Sequence, residues 1–202
     1  GIVHRLDKGT SGVMVVAKSY RAHLDLQEQF ADHGRTGPLQ RAYWALVWGA
    51  PPRMKGEIDA PLGRHPTRRL QRAVVDAEAA DAKRALTHYQ VQQRFNDPEL
   101  VDDVLVSLVE CRLETGRTHQ IRVHMTHIGH PLLGDPEYGK QFSNRGKRLP
   151  PRAAGYYETF NRQALHARSL GFRHPTTGET VSFSAEPPED MANLIAALRA
   201  GD

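Results

Sequence analysis

Glu114-Thr115-Gly116-Arg117-Thr118-His119-Gln120-Ile121-Arg122-Val123-His124 joins a strand to a helix, and this junction decides the fold class. Before it, Val104–Leu113 alternates, placing Leu105, Val109, Cys111 and Leu113 on one face. After it, Ile121, Met125 and Ile128 share one helical stripe that Gly129 stops before Pro131. Thr115 or Thr118 is the expected cap, because a hydroxyl there can accept from the free amides of the first turn. The apolar period switches from two to about 3.6 within a few residues, so strand and helix belong to one packed unit.

Working outward, 85–95 alternates as a second strand, and 41–48 is apolar on both faces, as a central strand with each face covered must be. Residues 12–17 form a short Val-rich run behind a turn and read as a buried strand. A helix is expected over 19–33, with Ser19 as cap, Ala22, Leu26 and Phe30 four apart, and Gly34 as stop. Residues 59–82 carry Arg64, Arg68, Arg69 and Arg72 without periodicity and read as a long basic loop. Downstream, 134–155 is rich in Gly, Pro, Lys and Arg and reads as loop or insert, followed by strands near 164–173 and 179–185 and a helix over 190–200. The pattern as a whole predicts an α+β fold built on a mixed, mainly antiparallel sheet flanked by helices.

A chain of 202 residues has room for one substantial core, so a single unit over 1–202 is expected. Cys111 is the only cysteine, which excludes an intrachain disulfide and a thiolate zinc cluster and fits a reducing cytoplasm. No apolar run reaches the ~20 residues that cross a bilayer, so no membrane partner is expected. The net charge of +4 is small, although most of the 27 Lys and Arg residues are Arg, whose planar fork suits phosphates and base edges.

Two constellations carry the chemistry. In His4-Arg5-Leu6-Asp7-Lys8-Gly9-Thr10-Ser11-Gly12 an acid lies between two cations on a tight loop; Asp7 could simply cap that turn through the Thr10 or Ser11 amides. Ser11 has neither a nucleophile-elbow motif nor the lysine spacing of a phosphate loop. The 114–124 junction combines helix-start amides with Arg117, an arrangement suited to an anion such as a nucleic-acid phosphate. Among the 11 histidines, His119, His124, His127 and His130 invite a metal reading, but no H-E-x-x-H is present and no Asp, Glu or Cys is placed to finish a tetrahedral site. Cys111 lies on the apolar face of its strand and reads as packing.

Four ordered motifs resemble the RluA-type pseudouridine synthases: H-R-L-D-x-x-T-S-G at 4–12, Tyr43-x-Ala-x-Val-x-Gly at 43–49, Gly116-Arg-Thr-His-Gln-Ile-Arg-Val-His, and Gly129-His-Pro-Leu-Leu-Gly-Asp-Pro-x-Tyr. The tail, with Arg162-Gln-Ala-Leu-His-Ala and His174-Pro-x-x-Gly, is similar to the RluD branch, which acts on large-subunit ribosomal RNA. The resemblance implies a central RNA-binding cleft, Asp7 as the essential carboxylate, Tyr43 as the aromatic against the target base, and Arg122 as the ion-pair partner of Asp7. It implies that Arg5 fills the gap left by a flipped uridine, a role its stacking guanidinium suits. Arg117 and His119 are the further expected RNA contacts, and the bland alternative for Arg5 is a surface salt bridge. The resemblance requires no metal or organic cofactor, and a monomer is expected. Relatives carry sheet strands ahead of H-R-L-D and an amino-terminal RNA-binding domain, so this chain is expected to lack both.

Overall fold

The computed structural model describes residues 1–68, 70–100 and 103–201, and Arg69 of the expected basic loop lies outside them. The strands are β1 (Ser11–Gly12), β2 (Gln40–Trp48), β3 (Lys55–Asp59), β4 (Leu62–Arg64), β5 (Arg72–Val74), β6 (Leu86–Asn96), β7 (Val104–Leu113), β8 (Leu165–Arg173) and β9 (Thr180–Ser184). The helices are α1 (Tyr20–Asp32), α2 (Gln120–His127), α3 (Pro151–Thr159) and α4 (Glu189–Ala200). One sheet runs β1-β8-β2-β7-β6-β3, with β9 also paired to β8. Among the described residues only β1 on β8 is parallel, which makes the sheet mixed and mainly antiparallel.

β2 lies inside the sheet because both of its faces are apolar. Leu46 and Trp48 pack with Ala153 of α3 and with Met191 and Leu194 of α4, while Ala45 and Val47 pack with Ile121 and Met125 of α2. Full burial of a residue such as Leu46 contributes roughly 1.5–3 kcal/mol, so these two layers hold the middle of the sheet rigid. A third cluster sets Leu26 and Phe30 of α1 against Leu170 and Phe172 of β8. Val109, Cys111 and Leu113 share the α2 side as expected, but Leu105 packs in the α4 cluster.

Several local expectations are corrected. The strand at 12–17 pairs with β8 only at Ser11–Gly12, because β9 takes the rest of that edge of β8. Val13 and Val15 pack toward α1, while Met14 and Val16 are exposed. Gly12 has φ of +121°, and a Cβ there would strike the backbone of Ala167, so only glycine brings this loop onto β8. The loop at 59–82 contains the β4–β5 hairpin, held by Leu62 and Val74 against Ala85 and Val123. The segment 134–155 is ordered by a 3-10 stretch, Lys140–Arg148, and then by α3, which Pro151 starts in its first turn. β3 was not expected: its backbone pairs with β6 although its sequence has no apolar alternation.

Candidate active site

The loop that carries Asp7 is clamped from far along the chain. Thr10 N–H donates to the Asp7 carbonyl at 2.9 Å, closing the turn through the backbone and not through the carboxylate. Gln163 Nε2 donates to the Lys8 carbonyl at 2.8 Å and to Thr10 Oγ1 at 2.9 Å. Arg162 Nη1 donates to the Gly9 carbonyl at 2.9 Å, and its other nitrogens hold Asp190 at 2.7 and 2.8 Å. His166 Nε2 donates to the Ala185 carbonyl, so its Nδ1 accepts from the Ser11 hydroxyl at 3.0 Å. Ser11 is thereby tied into the scaffold, and the Asp7 carboxylate makes no hydrogen bond among the described residues.

The second wall is the β7–α2 junction. Neither threonine caps α2: the N-cap is His119, with φ of +59° and no side-chain cap bond. Thr115 is already committed, accepting from Leu86 N–H at 3.0 Å and donating to Gln120 Oε1 at 2.7 Å. Gln120 Oε1 also accepts from Arg117 N–H, and its Nε2 donates to the Leu86 carbonyl and Thr87 Oγ1. This buried amide bolts the junction to β6. His119 is left in the left-handed region, a strained state that persists only where its surroundings impose it.

Arg122, from the buried side of α2, gathers three carboxylates. Its Nε and Nη2 grip Asp135 at 2.7 and 2.9 Å, Nη2 reaches Glu137 at 3.2 Å, and Nη1 lies 3.8 Å from Asp7 Oδ2. Its Cζ lies 4.9 Å from the centre of the Tyr138 ring. Burial works against the charge of Arg122, but the bonds to Asp135 and the fields of Asp135, Glu137 and Asp7 outweigh it and raise its pKa. The side chain of Arg122 is 2% exposed and that of Asp7 19%, so the carboxylate faces the cavity while its counter-ion lies beneath.

Tyr138 accepts from Arg72 N–H at 2.9 Å, so its own hydroxyl donates to His119 Nδ1, also at 2.9 Å. Burial pushes the Tyr138 phenol up to about 12. The pKa of His119 is lowered, first by burial and then by Arg122, with Asp7, Glu137 and Asp135 opposing. A neutral His119 accepting at Nδ1 carries its proton at Nε2.

Asp7, Tyr43, Arg5, Arg117 and His119 all line one cavity of about 250 Å³. Its small size suits a single base; ligand pockets usually run from ~300 to 1,000 Å³. Burial raises the pKa of the Tyr43 phenol, Arg41 lowers it and Asp7 raises it, so the hydroxyl keeps its proton at neutral pH. Arg5 is exposed at the rim and makes no ion pair among the described residues. Arg117 Nε donates to the Arg84 carbonyl at 3.1 Å. His4 stacks on Phe30 at 4.4 Å, accepts from Val15 N–H at its Nε2, and is driven down to about 4 by burial and then by Arg41. No group of three metal-ligating side chains comes together among the described residues. His124 is taken up by Thr87 and the Ala60 carbonyl, and His130 by the Trp48 carbonyl. Asp135, Tyr138, Gln120 and Gln163 were not anticipated, although each lies in a quoted motif, and an uncharged or acidic residue at a fixed place there was the available signal.

The fold that holds this base-sized cavity superposes on solved human structures. RNA pseudouridylate synthase domain containing 4 superposes with a TM-score of 0.73 at 26% identity, over 98% of this chain and 75% of that one. RNA pseudouridylate synthase domain containing 1 gives 0.70 at 27% identity, over 98% and 79%. Residues 1–127 match the family described as RNA pseudouridylate synthase, and the chain belongs to that family. It is 48% identical over 198 residues to the ribosomal large subunit pseudouridine synthase D of Zymomonas mobilis, and 41% identical over 209 residues to the chloroplastic RNA pseudouridine synthase 2 of Arabidopsis thaliana. These matches cover 98% of this chain but 56% and 46% of those proteins, so the chain spans about half the length of the curated relatives it matches.

Proposed function

We propose that this chain is the catalytic unit of an enzyme that isomerises uridine to pseudouridine in large-subunit ribosomal RNA, working as a cytoplasmic monomer without metal or cofactor. The observation that carries the reading is a carboxylate free of hydrogen bonds, Asp7, sharing a base-sized cavity with Tyr43 and with cations at its rim. The uridine is extruded from folded RNA at a cost of a few kcal/mol, and Arg5 stacks into the gap it leaves. Asp7 removes the ribose 2′ hydrogen as a proton while the C1′–N1 bond breaks, giving a C1′–C2′ double bond and a uracil anion. The base turns against Tyr43, C5 bonds to C1′, and Asp7 returns the proton to C2′. C5 then loses its proton and N1 gains one, so every atom of the substrate is conserved. Arg122 sets a positive charge 3.8 Å from the Asp7 carboxylate, and His119 Nε2–H is a donor for the base edge or a phosphate.

The test is incubation with unmodified large-subunit ribosomal RNA and mapping of pseudouridine by chemical adduct sequencing, with Asp7→Asn in parallel. Pseudouridine is expected with the parent protein alone, the variant being slower by on the order of 10³-fold or more. Equal yields would overturn the role of Asp7. Tight RNA binding by both proteins with no product from either would point instead to an RNA-binding factor.

A further inference from the structure

Arg41 lines the same cavity as Asp7 but has no carboxylate partner among the described residues. The residue is 9% exposed. Its Nη2 approaches His33 Nδ1 at 3.3 Å and the Leu113 carbonyl at 3.5 Å, and its Cζ lies 5.9 Å from the centre of the Phe30 ring. Both hydrogen bonds are long and neither acceptor carries negative charge. The pKa of His33 is lowered by burial and then by Arg41, Arg117 and Arg35, against Asp32, so it stays uncharged beside the guanidinium. Nε and Nη1 of Arg41 make no hydrogen bond among the described residues. An enclosed cation with so little compensation is costly unless something else supplies the anion.

The neighbourhood is arranged to leave that fork open. A Cβ on Gly116 would lie 2.8 Å from Arg41 Nη1, so a side chain there would push the guanidinium aside. Arg117 follows directly, and Arg5 extends the positive rim. Arg41 and Tyr43 are two apart on β2, a rise of about 6–7 Å, and both face the cavity, so one strand presents a cation and the aromatic wall side by side.

We propose that Arg41 is a phosphate-binding residue whose guanidinium grips a phosphodiester of the RNA strand beside the flipped uridine. This rests on the reading that RNA enters the cavity. A uracil carbonyl would leave the full charge uncompensated, whereas a phosphodiester neutralises it and matches the planar fork. Arg41 then fixes the strand while the base reaches Tyr43 and Asp7.

The test measures binding of a short oligouridylate over a range of salt for the parent, Arg41→Lys and Arg41→Gln, with thermal melts for each. Losing one phosphate contact to a single strand should lower the slope of log K against log salt by roughly 0.7, so Arg41→Gln should show that drop and Arg41→Lys should keep the parent slope. Equal slopes for all three would overturn the proposal. Should Arg41→Gln not fold, nitrogen NMR of the parent decides: inorganic phosphate should move the Arg41 Nε signal saturably, with chloride at matched ionic strength as control, and no movement would overturn it. A parent with the Arg41-dependent slope but no pseudouridine leaves the phosphate site standing and sinks the isomerase reading; pseudouridine with an Arg41-independent slope does the reverse.

Discussion

Two buried arginines serve one cavity in opposite ways. Arg122 is met by Asp135, Glu137 and Asp7 and lies over an aromatic ring, while Arg41 meets one neutral imidazole, one carbonyl and the edge of a phenylalanine's reach. The same side chain is a frame member in the first place and an open hand in the second, and the difference is set by the carboxylates around it. Counting basic residues near a pocket therefore says little until each is asked which anion it already holds.

The sharpest way to break the comparison is to remove Arg122. Arg122→Met strands the buried Asp135 without its cation and should cost about 3–5 kcal/mol in denaturant unfolding, along with turnover. Asp135→Asn keeps the shape but weakens a charged two-toothed bond, for about 1.5–3 kcal/mol. Glu137→Gln should cost less than about 1 kcal/mol, because that side chain is 35% exposed. Equal losses across the three would show that burial does not grade these contacts.

A smaller effect tests the other side. His4 titrates at about 4 in the fold, against 6.5 for an ordinary histidine, through burial first and Arg41 second. Because its folded value is depressed, the unfolded chain takes up the proton first as pH falls. His4 therefore leaves stability intact above pH 6.5 and erodes it progressively down to about 4. Arg41→Gln should move the His4 titration upward, by proton NMR, and shallow the fall in stability across that window. An unmoved titration would mean that the charge of Arg41 is already neutralised. Smallest of all, Asp190→Asn, at a side chain 46% exposed, should loosen the Arg162 clamp on the Gly9 carbonyl for less than about 1 kcal/mol, read as a small fall in melting temperature.

The parts of this architecture that sequence discloses are those whose residues bury themselves. β2, β6, β7, α1 and α4 each carry an apolar pattern of the right period, and each is present within a residue or two. β3 is a different case: Lys55, Glu57 and Asp59 lie along an edge strand, where charge protects against pairing with other chains, and its bonds to β6 are backbone bonds that no side-chain pattern announces. α3 and the 3-10 stretch hide behind glycines and cations for a similar reason, since Leu149 and Ala153 are buried in the core while Phe142, Ala154, Tyr156 and Tyr157 only partly cover it. At the site, the motifs brought Asp7, Tyr43, Arg117 and His119 to one cavity, and their resemblance to known enzymes supplied the roles. What could not be read was allegiance. Arg122 holds Asp135 at 2.7 Å and Asp7 only at 3.8 Å, and Thr115 serves Gln120 rather than the helix end because β6 offers it Leu86.

The clamp on the Asp7 loop has a consequence in time. Gln163 is made 155 residues after Lys8, whose carbonyl it holds, and Arg162 comes with it. At about 5–20 residues per second, a ribosome releases the front of this chain on the order of ten seconds before its clamp exists. Until residues 162 and 163 follow, only the backbone bond from Thr10 closes the turn around Asp7. The loop around Asp7 therefore takes its final shape late, from residues distant in sequence.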